Sequence, residues 1–201
     1  LLDAFDNYLT GKYNETEERL LDKINKKAEY QQTEAMHMGT AFHDLTRTGP
    51  ENCQIVRDKK IGYCYRFHFW DFKKDVVDEV SDLRKGLFHE QYVSRDIETK
   101  HGIVRLYGYV DDIGNGIIQD VKTTKQYRGG ISYYDAWQWK VYLYCANSYV
   151  FNYIITDYTN VYSEQYHNGP HIKEVLKSHV NRYCEFINDN KEKIDLKLVT
   201  I

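Results

Sequence analysis

The stretch Gly108-Tyr109-Val110-Asp111-Asp112-Ile113-Gly114-Asn115-Gly116-Ile117-Ile118-Gln119-Asp120-Val121-Lys122 decides how the chain is read. Asn-Gly between apolar flanks is the strongest short-range hairpin signal, because both residues tolerate the positive φ of a tight turn. With Asn115 and Gly116 as a two-residue loop, Gly114 faces Ile117 and Asp111 faces Asp120, while Val110 and Val121 pair on the other face, toward the core. A three-residue loop with a bulge would shift that pairing by one. Two carboxylates facing each other at about 5 Å repel. Either one of them holds a proton or a cation sits between them. A hard divalent ion such as Mg²⁺ solves this, with Lys122 beside it to orient a water and meet the charge that builds on a phosphate. A solvated polar face with a simple Lys–Asp pair is the plain alternative.

Outward from the hairpin, residues 88–97, 103–113 and 117–123 read as strands, as do 61–70, where aromatics alternate, and 149–156. Apolar residues recur at helical spacing over 16–31, 34–45, 71–85, 135–146 and 171–193, with Pro50 closing the second and Gly86 the third. Helices, a block of strands, then helix–strand–helix predict a mixed α/β (α+β) chain whose central, partly antiparallel sheet is flanked by helices. We expect one domain over 1–201, with a helical part at 1–50, the sheet core and its hairpin at 51–160, and a C-terminal helix at 161–201.

The 201 residues are 42% apolar, enough for one core. Lys and Arg number 27 against 30 Asp and Glu, a net charge of −3, which excludes coating nucleic acid by bulk charge alone but leaves a local basic strip open. Such a strip follows the hairpin at Lys122, Lys125 and Arg128, with Tyr127, Tyr133 and Tyr134 interleaved, a composition suited to a nucleic-acid track or to a solvated loop. No apolar run approaches the roughly 18 residues that span a bilayer, so no membrane association is expected. The first residues carry two acids and no basic run, unlike a signal peptide, and a chain opening on Leu reads as a fragment or a trimmed chain. Cys53, Cys64, Cys145 and Cys184 form no close pair, which suits reduced thiols, mostly in the core, and a cytoplasmic location. His167-Asn168-Gly169-Pro170-His171 is no zinc site: Gly-Pro between the histidines breaks a helix, and Pro170 reads as a helix start.

An acid-x-Lys tripeptide alone says nothing, since it recurs at 58–60, 71–73, 98–100, 120–122 and 195–197. Its context at 120–122 says more. Five pieces follow in order: Gly39-Thr40-Ala41-Phe42-His43; Glu90; Gly108-Tyr109-Val110-Asp111; Asp120-Val121-Lys122 continuing into Thr123-Thr124; and Gln138-Trp139-Lys140-Val141-Tyr142. Each is weak alone. The ordered set, spanning 39–142, resembles the PD-(D/E)XK nuclease superfamily, in particular its RecB-like and phage-type exonuclease branch. The resemblance implies a restriction-endonuclease-like core and a Mg²⁺- or Mn²⁺-dependent deoxyribonuclease acting in recombination or repair. His43, Asp111, Asp120 and the Val121 carbonyl would hold the metal, and Lys122 would position the attacking water. Glu90 would support Lys122 or a second metal, and Gln138 and Tyr142 would line the site and touch DNA. Thr123, Lys125 and Arg128 complete the expected DNA contacts, Thr123 as a donor to phosphate.

The departures are informative too. The cysteines do not supply the late group that holds an iron–sulfur cluster in some relatives, so no cluster is expected. Where some relatives place an acid three residues after the histidine stands Thr46, which puts a second metal in doubt. No phosphate-binding helicase loop is present, so ATP-driven unwinding would need another chain. A structure-specific endonuclease on the same core and a non-catalytic DNA-binding module are the alternatives. A homo-oligomer or a recombination partner protein is compatible with either.

Overall fold

The computed structural model describes residues 1–27, 31–130 and 133–195. The helices are α1 (Leu2–Thr10), α2 (Glu17–Ile24), α3 (Glu34–Thr48), α4 (Lys74–Arg84), α5 (Trp137–Ala146) and α6 (Pro170–Asp189). The strands are β1 (Gln54–Asp58), β2 (Gly62–Phe67), β3 (Trp70–Lys73), β4 (Phe88–Thr99), β5 (Gly102–Gly114), β6 (Ile117–Thr123), β7 (Val150–Thr156) and β8 (Val161–His167). A small antiparallel sheet runs β1-β2-β3, and the central sheet runs β4-β5-β6-β7-β8. All its junctions are antiparallel except β6–β7, which is parallel and bridged by the α5 crossover. The fold is thus the expected mixed α/β class.

Each face of the central sheet buries its own cluster. On one, Val110, Ile118, Phe151 and Tyr153 pack with Trp139 and Leu143 of α5 and Leu176 and Val180 of α6. On the other, Val121 and Ile154 pack with Ala41, Phe42 and Leu45 of α3 and Val76, Val77 and Val80 of α4. A third cluster joins Phe5, Leu20 and Ile24 to Ile187. At roughly 1.5–3 kcal/mol for each fully buried aliphatic or Phe side chain, these layers hold the helices at fixed distances from the strands.

The Asn-Gly turn forms as read. Asn115 has φ 52° and Gly116 φ 77°, and Gly114 pairs with Ile117. The ladder continues through Ile113↔Ile118 and Asp112↔Gln119 and stops there. The pairing expected at Asp111 and Asp120 therefore does not extend it. Val110 and Val121, expected on one face, enter opposite clusters. Other boundaries also need correction. The alternating aromatics over 61–70 span a turn, since Phe67 pairs with Trp70 across His68 and Phe69, and His68 adopts φ 51° without a glycine to announce it. The helix expected from residue 71 begins at Lys74, because β3 occupies 70–73. The helix expected over 16–31 ends at Ile24, and residues 28–30 of that stretch lie outside the described ones. The range 161–201, expected to be a C-terminal helix, opens with strand β8 before Pro170 starts α6.

Candidate active site

The end of the β5–β6 hairpin, the middle of α3 and the start of α5 converge on Asp111, Asp120 and Lys122. Two glycines allow the close approach. A Cβ on Gly39 would lie 2.9 Å from Thr123 Oγ1, so α3 can rest on β6 only with a bare residue there. A Cβ on Gly108 would lie 2.5 Å from Tyr142 Cε1, so α5 lays its tyrosine over the same kind of gap. These contacts explain why Gly39 sits one helical turn before His43 and why Gly108 precedes Asp111 on its strand.

Asp111 Oδ2 accepts the Val121 N–H at 3.1 Å and lies 3.5 Å from His43 Nδ1. Burial lowers the His43 imidazole below its usual range, against the pull of Asp111 in the other direction. Asp120 is 2% exposed. Its Oδ2 is 2.7 Å from Lys122 Nζ, and its Oδ1 accepts from Gln138 Nε2 at 2.9 Å. Burial pushes the Asp120 carboxyl up to about 6, with Lys122 holding it down and Asp111 adding to the rise. Burial alone would lower Lys122, but Asp120 outweighs it and the ammonium sits above its ordinary value. The result is a carboxylate–ammonium pair under tension between desolvation and attraction.

The remaining expected site residues divide. Tyr142 packs over Gly108 and reaches the Gln138 amide, and burial raises its phenol. Gln138 is committed to Asp120. Glu90 falls on β4 between the pairs His89↔Asp112 and Gln91↔Val110, alongside Asp111; with φ 52° and a side chain 66% exposed, it pairs with Arg47 Nη1 at 3.0 Å, one helical turn beyond His43 on α3. Thr123 is half-buried, its hydroxyl close to Gly39 and hydrogen-bonded with Tyr158. Lys125 and Arg128 are exposed beyond β6. Of the three tyrosines interleaved with this strip, Tyr134 is exposed and the other two are held against the fold. Tyr127 donates to Glu164 Oε1 at 2.8 Å, and Tyr133 packs tilted against Tyr153 with centroids 4.6 Å apart, both tying the segment down.

Sequence reasoning missed Asp112 and Arg84. Asp112 is 0% exposed and meets Arg84 at 2.9 Å (Oδ2–Nε) and 3.0 Å (Oδ1–Nη2), with His89 Nδ1 on the same carboxylate. Arg84 also donates to the His43 carbonyl at 3.1 Å and to Thr46 Oγ1 at 2.9 Å. The pair therefore ties α4, α3 and β5 together one residue from Asp111. Thr46 is thus a buried hydrogen-bond partner of Arg84. Burial of Cys64, Cys145 and Cys184 agrees with the core reading, and all four thiols are free.

No group of three or more His, Cys, Asp or Glu side chains stands ready to hold an ion among the described residues. Asp111 and His43 face each other, and Asp120 is turned to Lys122 and Gln138. The donors nonetheless fit Mg²⁺ or Mn²⁺ in kind, since Mg²⁺ keeps several waters and takes only one or two carboxylates. Beside the site, a groove of about 470 Å³ is lined by Gln138, Tyr142, Val104, Leu106 and Val141. No helix among the described residues is long and apolar enough to cross a membrane.

No protein-family model matches the chain, and no curated protein matches it. Among solved structures, a protein of Eubacterium rectale described as a candidate exonuclease superposes with a TM-score of 0.54 at 11% identity, over 96% of this chain and 82% of that one. At that identity the likeness is one of fold. A second structure, of the protein SSO0001, has a TM-score of 0.39 at 18% identity and covers 53% of this chain. The present chain spans 57% of its length.

Proposed function

We propose that the protein is a metal-dependent nuclease of the PD-(D/E)XK kind, hydrolysing phosphodiester bonds in DNA, and most simply an exonuclease of the phage or recombination type. One observation carries the reading: the buried Asp120 is bonded at once to Lys122 and Gln138 beside the Asp111–His43 pair. Four of the five sequence pieces meet there, and a shared fold with the Eubacterium rectale protein is consistent with it.

In this reading His43, Asp111, Asp120 and the Val121 carbonyl would hold Mg²⁺ or Mn²⁺, which would polarise the scissile phosphate and lower the pKa of a coordinated water. Lys122 presents a fixed ammonium that aligns the attacking water and meets the charge growing on the phosphate. Gln138 fixes Asp120, and the groove beside Tyr142 gives a nucleotide somewhere to lie. Arg47 and Glu90 pair one helical turn beyond His43, alongside Asp111.

The test is an end-labelled linear duplex incubated with Mg²⁺, with a circular duplex alongside to separate exonuclease from endonuclease. Asp120→Ala and Lys122→Ala should lose cleavage by at least about 100-fold while remaining folded. Full activity in folded Asp120→Ala protein sinks the assignment.

A further inference from the structure

We infer that Tyr153 is the positioning residue of this site: a single buried phenol, paired with Asp120 across the parallel β6–β7 ladder, that orients both side chains holding the carboxylate. The inference rests on the reading of Asp120 and Lys122 as the reacting centre.

The hydroxyl does the first job. Tyr153 is fully buried, and a buried phenol needs a hydrogen-bond partner. Its hydroxyl donates to Gln138 Oε1 at 3.4 Å. A primary amide has one accepting end and one donating end, so fixing the oxygen fixes the nitrogen. Gln138 Nε2 then donates to Asp120 Oδ1 at 2.9 Å, and the Gln138 side chain also hydrogen-bonds Tyr142. Turned over, the amide would set its oxygen against a carboxylate oxygen. The Tyr153 hydroxyl and the Asp120 carboxylate thereby favour the same one of the two amide orientations, Tyr153 holding its oxygen end.

The ring does the second. Lys122 Nζ lies 5.7 Å from the Tyr153 ring centroid and 2.7 Å from Asp120 Oδ2. An aromatic face at that range attracts an ammonium and limits where it can sit. Tyr133 packs against the same ring and keeps it in place. One side chain therefore assigns Asp120 Oδ1 to Gln138 and Oδ2 to Lys122.

Tyr153→Phe removes the hydroxyl and keeps the ring, and Tyr153→Leu removes both. Three quantities are measured on each: kcat and KM on the labelled duplex with Mg²⁺, the melting temperature, and the Gln138 side-chain amide signals in ¹⁵N-labelled protein. For Tyr153→Phe we expect kcat to fall about tenfold with KM within about twofold, and the Gln138 amide signals to shift and exchange faster. In a Gln138→Ala background the same substitution should cost nothing further, because the hydroxyl acts through the amide. Tyr153→Leu, where it folds, should fall further than Tyr153→Phe. Unchanged Gln138 amide signals in Tyr153→Phe overturn the inference, as does an equal loss with and without Gln138. If the wild-type protein cuts no DNA, the nuclease reading fails, and the amide signals still decide the orienting role.

Discussion

Lys122→Met separates the electrostatics of the site from its chemistry. In the folded protein the Asp120 carboxyl is raised from 3.8 to about 6, chiefly by burial, with Lys122 and Gln138 resisting. A carboxyl whose folded value lies above its unfolded one binds its proton more tightly when folded. Stability from this group is therefore greatest below about pH 4 and falls as pH rises toward 6. The rise of about two pH units corresponds to about 3 kcal/mol by pH 7, at roughly 1.4 kcal/mol per unit. Taking away the ammonium removes the strongest influence holding the carboxyl down, so its titration moves to higher pH and the stability keeps falling there.

At pH 5 the wild-type Asp120 is already mostly protonated, and the substitution should cost only about 1 kcal/mol. At pH 8 the wild type keeps its ion pair while the variant buries a lone carboxylate or protonates it against the solution. The loss should then approach the roughly 3–5 kcal/mol of a broken buried pair. Urea unfolding at half-unit steps from pH 5 to pH 8 measures this, provided the slope with denaturant is the same for both proteins. A loss that is equal at pH 5 and pH 8 would refute the reasoning, because it would mean that Lys122 contributes packing and not charge.

Three further substitutions probe the geometry around the site. Gly39→Ala gains up to about 1 kcal/mol of helix propensity but forces a methyl to 2.9 Å from Thr123 Oγ1, so unfolding experiments should find it destabilised by about 1–2 kcal/mol, with the sign reversing in a Thr123→Ala background. Gly108→Ala drives the Tyr142 ring away and should cost about 1–3 kcal/mol, recovered in part by Tyr142→Ala and read by thermal unfolding. Arg84→Met leaves the fully buried Asp112 facing His89 alone and should cost about 3–5 kcal/mol, whereas Arg84→Met with Asp112→Leu should recover most of it in the same denaturation assay.

What was legible in the sequence was local. The Asn115-Gly116 turn, the i,i+4 spacing of Gly39 to His43 and of Gln138 to Tyr142, and the Pro170 helix start each depend on neighbours within a few residues. Short-range sterics fix such features wherever they occur. The Arg84–Asp112–His89 group is different. Its members lie 28 and 23 positions apart, and nothing near Arg84 distinguishes it from a solvated cation until the sheet brings Asp112 beneath it. The split of β2 from β3 was hidden because alternating aromatics continue through the His68-Phe69 turn without a residue that marks it.

The one error of register carries the most physics. Period-two alternation assumes a ladder that continues, and it put Asp111 opposite Asp120 with Val110 and Val121 sharing a face. The ladder stops at Asp112↔Gln119, and the Val121 N–H goes to the Asp111 carboxylate at 3.1 Å. Once a side chain takes that bond, the strand backbones are released from strict pairing. Val110 can then turn toward α5 while Val121 turns toward α3. That release leaves Asp111 beside His43 and Asp120 beside Lys122 and Gln138, instead of two carboxylates in direct opposition. The candidate site thus lies at the point where sheet regularity ends, and a reading built on regularity brings these residues together but misjudges how they face one another.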